Sequence, residues 1–101
     1  MNKSKILSTL GLAMRAQKLI SGEEFSIELI RKQRAYLVFL ASDAGKSTTK
    51  RVTDKTRFYN VKLNHELTCS EISQAIGKRN RKVITITNKD FADLLESIIN
   101  E

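Results

Sequence analysis

Residues 35–41 read Ala-Tyr-Leu-Val-Phe-Leu-Ala, seven consecutive positions without a charge in a chain where charged residues make up 29%. A strand with one face in water alternates apolar and polar side chains. An unbroken uncharged run fits instead a central strand covered on both faces. The helices between strands must pack on the sheet, so three layers, helix–sheet–helix, are expected. The rest of the chain agrees. Helix-like and strand-like stretches alternate, short polar breaks separate them, and there is no proline.

The spacing predicts a helix over residues 3–17, where Ile6, Leu7, Leu10, Ala13 and Met14 form one apolar stripe. Leu19-Ile20-Ser21 is short and extended. Ser21-Gly22-Glu23-Glu24 then reads as a capping box, with Ser21 as N-cap and Glu24 at the third helical position. In the helix that follows, Phe25, Leu29 and Ile30 are the expected buried face, and Arg31, Lys32 and Arg34 crowd the end that favours cations. After the strand at 35–41 come a turn, Ser42-Asp43-Ala44-Gly45, and a polar helix over 47–58. That helix carries Lys50, Arg51, Lys55 and Arg57 against Asp54, with Lys46 just before it. A short strand is expected at 61–63. Thr68-Cys69-Ser70-Glu71 is a second capping box, opening a helix that runs to Ile76, and Gly77 suits the left-handed position that ends helices. Residues 78–82 are a loop and 83–87 a β-rich strand. The last helix, over 89–100, has Phe91, Leu94, Leu95, Ile98 and Ile99 on one face and Thr87 or Asn88 as its cap.

At 101 residues the chain has room for one domain. Cys69 is the only cysteine, which excludes an internal disulfide framework. No apolar run approaches a membrane span, and the basic start of the chain lacks a small-residue cleavage site, so a reduced, cytoplasmic protein is expected. Lys plus Arg number 18 against 11 Asp plus Glu, a net charge of +7. That balance favours polyanions as partners, nucleic acid first.

The enzymatic reading is weak. His65 is the only histidine, sits in the polar stretch Asn64-His65-Glu66, and has no nameable partner. Cys69 lies at a helix start, where a thiolate is favoured, but a small, partly buried cysteine is the simpler reading. One Cys and one His do not make a metal site, and no cofactor is expected. Asp43-Ala44-Gly45-Lys46-Ser47-Thr48 has the place of a phosphate-binding loop, but Leu40 stands where that motif needs its first glycine. The sharpest signal is the loop Lys78-Arg79-Asn80-Arg81-Lys82, four cations in five residues, suited to a phosphate backbone. Arg79 and Arg81 can also make bidentate contacts or stack on a base, and Asn80 tolerates a left-handed backbone.

These residues resemble a known family. Leu10-Gly11-Leu12-Ala13-Met14-Arg15-Ala16-Gln17-Lys18-Leu19-Ile20-Ser21-Gly22-Glu23-Glu24 is similar to the start of the YlxQ-type bacterial members of the ribosomal protein L-seven-Ae family. Leu37-Val38-Phe39-Leu40-Ala41-Ser42-Asp43 resembles that family's central strand and acidic turn. Ser70-Glu71-Ile72-Ser73-Gln74-Ala75-Ile76-Gly77 resembles the helix before its second recognition loop. The resemblance implies an α/β fold, a three-layer α-β-α sandwich around a small four-stranded mixed sheet. It also implies non-enzymatic binding of structured RNA, typically at kink-turns, where a duplex bends at tandem sheared G·A pairs. Two surfaces would meet the RNA: Gly22, Glu23 and Glu24 at the turn into the second helix, and Gly77, Lys78, Arg79, Asn80, Arg81 and Lys82 after the fourth. Lys18 matches a basic position near the first. Known kink-turn binders carry Asn or Lys where this chain has Glu24, and often a basic residue where it has Glu28. Acids there would face phosphates, although Glu24 has its capping-box role as an alternative. Known binders also have a largely apolar second loop, where this one is basic. The expected partner is structured RNA, ribosomal or kink-turn, and with it the ribosome, for a monomer that uses no membrane. The competing reading is a protein-interaction module that docks through the basic third helix on ribosomal or RNA-processing proteins.

Overall fold

The structure, a computed structural model, describes all 101 residues. The chain runs α1 (Lys3–Arg15), β1 (Leu19–Ser21), α2 (Glu23–Arg31), β2 (Leu37–Leu40), α3 (Lys46–Phe58), β3 (Leu63–Asn64), α4 (Cys69–Ile76), β4 (Val83–Ile86) and α5 (Lys89–Ile99). The strands form one sheet in the order β1-β4-β2-β3. Strand β4 is antiparallel to both β1 and β2, while β2 is parallel to β3, so the sheet is mixed. The two inner strands, β2 and β4, are buried at every position.

Side chains alternate across these strands and build two cores. Leu37 and Phe39 of β2 and Ile84 and Ile86 of β4 join Ile6 and Leu10 of α1, Ile72 of α4, and Leu95 and Ile98 of α5. Val38, Leu40 and Val83 on the other face meet Ile27 and Ile30 of α2 and Val52 of α3. Helices α1, α4 and α5 therefore cover one face and α2 and α3 the other. This is the three-layer sandwich expected from the alternation of helices and strands, with the uncharged run at its centre.

The second helix departs from expectation. Its N-cap is Gly22, with φ 116° and ψ 146°, and no side chain caps it. Ser21 cannot serve as the cap because it is a strand residue, paired with Ile84 of β4. The sheet continues one step further through the Gly22 N–H, which donates to the Val83 carbonyl at 2.8 Å. The chain must then leave the sheet abruptly, and the backbone angles it uses are open in practice only to glycine. Glu24 consequently sits at the second helical position, not the third, and closes no capping box. The buried face shifts as well. Ser26, Ile27 and Ile30 pack inward, Leu29 is half-buried, and Phe25 is 68% exposed. Ser26 is small enough to let the helix lie against the sheet.

Smaller differences concern element ends. Helix α1 stops at Arg15, and Gln17 adopts a left-handed φ of 60° that turns the chain into β1. The regular part of β2 is shorter than the uncharged run, but the Tyr36 and Ala41 N–H groups still donate to the Ile86 and Lys82 carbonyls at 2.9 and 2.8 Å. Strand β3 is displaced to residues 63–64, while the Lys62 carbonyl accepts from the Val38 N–H at 2.9 Å. The second capping box forms as expected. The Glu71 N–H donates to the Thr68 hydroxyl at 3.2 Å, and the Thr68 N–H donates to the Glu71 carboxylate at 2.9 Å. These bonds, with Lys3 alongside at 3.2 Å, hold the Glu71 carboxyl below the usual glutamate range.

Candidate nucleic-acid interface

The loop from Gly77 to Lys82 is short and braced on both sides. Gly77 ends α4 in the left-handed region at φ 70°, and the Lys78 N–H closes back on the Ser73 carbonyl at 2.9 Å. Asn80 takes a φ of 53°, the left-handed conformation expected of it. The Ser73 hydroxyl accepts from the Arg81 N–H at 2.8 Å and donates to the Arg81 carbonyl at 3.3 Å. The loop backbone is thus clamped to α4, and then to β2 and β1 by the bonds onto the Lys82 and Val83 carbonyls. Its side chains are left to solvent. Lys78, Arg79, Asn80 and Lys82 are exposed, and Arg81 is half-buried, with a buried Nε that has no partner. No acid lies within 4.0 Å of any of the four loop cations.

The antiparallel β1–β4 pairing brings the two expected surfaces together. Gly22 and Glu23 line one cleft of about 210 Å³ with Asn80, Arg81, Lys82 and Thr48. A second, wider depression of about 670 Å³ opens on the other side of the loop, among Asp43, Cys69, Ser73, Lys78 and Arg79. Lys18 is not brought in. It precedes β1 at the end of the sheet away from Gly22, where its carbonyl accepts from the Thr87 N–H at 3.0 Å.

The acids at the site are not free. Arg51 of α3 contacts both Glu23 and Glu24: its Nη1 is 3.0 Å from Glu23 Oε2, and its Nη2 is 3.1 Å from Glu24 Oε1. The Thr48 hydroxyl donates to Glu23 Oε1 at 2.8 Å. Hydrogen bonding from Arg51 holds the Glu24 carboxyl below its ordinary value. Glu28 pairs with Lys32 at 3.2 Å one helical turn away. The acids that argued against an anionic partner therefore carry their own counter-charges. Sequence reading had Thr48 in a candidate phosphate-binding loop and Arg51 on a basic docking helix; what it missed is that Thr48 binds Glu23 and that Arg51 binds both Glu23 and Glu24.

His65 and Cys69 do not pair with each other. His65 is exposed. The Cys69 thiol lies near the Arg81 carbonyl at 3.6 Å and near Asn80 Oδ1 and the Ser73 hydroxyl at 3.8 Å, with no bond to His65. The Asp43 carboxylate accepts from the Cys69 N–H at 2.8 Å and so ties the turn after β2 to the start of α4. No helix is long and apolar enough to cross a membrane.

The chain is similar to known proteins. The chain is 44% identical over 98 residues to the RNA-binding protein YlxQ of Enterococcus faecium, covering 97% of this chain and 94% of that one. It is 42% identical over 91 residues to the RNA-binding protein YlxQ of Bacillus subtilis (strain 168), covering 90% and 91%. A solved protein of unknown function from Bacillus halodurans superposes with a TM-score of 0.90 at 37% identity, over 96% of this chain and 98% of that one. The 15.5kD RNA binding protein of Giardia lamblia shares the fold with a TM-score of 0.84 at 14% identity, over 99% and 87%. The model of the ribosomal protein L7Ae/L30e/S12e/Gadd45 family matches residues 4–96, and with the sheet order and helix layers described above, the chain belongs to that family.

Proposed function

We propose that this chain is a non-enzymatic RNA-binding protein that holds structured RNA at the Gly22 end of its sheet, with a kink-turn as the preferred target. The observation that carries this reading is the convergence of four unpaired cations, on a braced loop, with the glycine bend and uncapped N-terminus of α2. Like charges held on one turn repel each other, and a phosphate backbone relieves that repulsion. Bracing means that little loop order is lost on binding. Gly22 lets an RNA edge approach the backbone, and the first amides of α2 lack a side-chain cap, so they are available to an acceptor. The relatives named as RNA-binding proteins, similar over more than nine-tenths of their length, support the same reading. Lys18 would touch RNA only where the duplex continues along the β1 edge.

The docking alternative draws less support. Two of the cations on α3 are satisfied within the chain: Lys50 pairs with Asp54 at 2.8 Å, and Arg51 pairs with Glu23 and Glu24.

Titrating the protein against a kink-turn RNA, the same RNA with its G·A pairs replaced, and a random RNA of equal length separates the readings. Tightest binding to the intact kink-turn is expected. Equal affinity for the first two overturns the kink-turn preference, and equal affinity for all three overturns recognition of structure altogether.

Arg51 gives a sharper prediction. Arg51→Ala removes the counter-charge of two carboxylates on the RNA-facing bend. The Glu24 pKa should rise toward the ordinary 4.5, read by carboxyl NMR titration. RNA affinity should fall about fivefold at low salt as the freed carboxylates repel phosphate. An unchanged affinity would place Glu23 and Glu24 off the RNA path.

A further inference from the structure

A third depression, of about 340 Å³, borders the interface on the β1 side. It is lined by Met14, Ile20 and Phe25 together with Lys78 and Arg81. Phe25 is 68% exposed and Ile20 38% exposed. The turn of α2 that buries Ser26 and Ile27 aims Phe25 outward, and the ring lies against the Gly22 bend, its Cδ2 3.6 Å from where a glycine Cβ would sit. No other aromatic ring packs on it, since the one aromatic pair in the chain is Phe58 with Tyr59. The protein therefore gains little from this ring by folding. A large apolar side chain left in water beside two cations fits a ligand that is at once flat, apolar on its faces, and anionic.

We propose that Phe25 is a stacking platform for an unpaired RNA base, with Lys78 and Arg81 holding the phosphates that flank that base. The inference rests on the RNA-binding reading and adds to it a base-contacting residue outside the loop and the glycine bend. Arg81 borders both this groove and the Gly22–Lys82 cleft. A nucleotide displaced from a duplex seated on the loop thus finds the ring one step away. Aromatic–base stacking tolerates any base, because every base has a π-face. Phe25 should therefore add affinity for an unpaired nucleotide without selecting its identity.

The test measures full-length wild type, Phe25→Ala, Phe25→Trp and Arg81→Ala against a kink-turn RNA and against copies with an abasic nucleotide at each unpaired position in turn. Phe25→Ala should weaken binding about tenfold or more, with its salt dependence unchanged, because stacking releases no counterions. Phe25→Trp should restore affinity. One abasic position should weaken wild type by a similar factor and leave Phe25→Ala unaffected. Arg81→Ala should instead flatten the salt dependence. Equal binding by Phe25→Ala and wild type overturns the platform and leaves RNA binding standing. No RNA binding by wild type overturns the underlying reading and the platform with it. Adsorption to phosphatidylglycerol vesicles that needs Phe25, while RNA affinity does not, reassigns the groove to a membrane surface and also overturns the proposal. Phe25 is exposed, so thermal unfolding of Phe25→Ala should match wild type, which separates a lost contact from a lost fold.

Discussion

Phe39→Ala should remove about 3–5 kcal/mol of folding stability, the usual cost of emptying a buried aromatic site. Phe39 is fully buried at the centre of β2, in the larger core beneath α1, α4 and α5. Its backbone is held on both sides, in register with Ile84 of β4 and Asn64 of β3. The strand therefore cannot move to close the cavity. A domain of this size has about 5–15 kcal/mol in total, so the variant should lie near its unfolding threshold. The melting temperature should fall by about 15–30 °C, followed by circular dichroism, and the urea midpoint should fall with little change in slope. A loss below about 1 kcal/mol would mean that the core repacks around the site, against the density expected of such interiors. The Phe39 side chain lies between the sheet and the helices and not at the interface. RNA affinity of the folded fraction at low temperature should therefore be unchanged, and the variant separates fold from binding.

The part of this structure that could be read from the sequence is the part governed by neighbours in the chain. The uncharged run at 35–41 announces a strand covered on both faces. Thr68 and Glu71 sit three residues apart and close their box on each other, and Gly77 and Asn80 adopt the left-handed conformations their chemistry favours. The misreadings have a common cause, which is tertiary geometry. Ser21 has the side chain of a cap, but its pairing with Ile84 keeps it in the sheet, and the bend passes to Gly22. Phe25 looked like core because it is apolar and lies one helical turn before Leu29. The docking of α2 on the sheet instead turns Ser26, Ile27 and Ile30 inward. The Arg51 contacts to Glu23 and Glu24 join helices far apart in sequence, and no local pattern encodes them. The same holds for the candidate site. The basic loop and the glycine bend were each legible, but their meeting depends on the β1–β4 register, which also carries Lys18 to the other end of the strand.

Arg79→Ala combined with Arg81→Ala should weaken RNA binding about ten- to a hundredfold near 0.1 M salt. The change in salt dependence is more diagnostic. Contacts to about five phosphates give a slope of log affinity on log salt of roughly −4 to −5, and losing two should reduce its magnitude by about 2. The fold should survive. The loop is clamped through the Arg81 backbone by Ser73 and through the Lys82 carbonyl by Ala41, and alanine keeps both. A matching Tm for the variant confirms that the loss lies in binding. Replacing the same two residues by lysine divides the effect further. Lysine keeps the charge, so the slope should stay near wild type. It lacks the planar fork that reads a base edge or stacks on a base, so the preference for intact over G·A-replaced RNA should shrink. If the lysine variant keeps both slope and preference, the loop acts as charge alone, and the shape selectivity must come from Gly22 and the start of α2. Unchanged affinity and slope in the alanine variant would remove the loop from the interface.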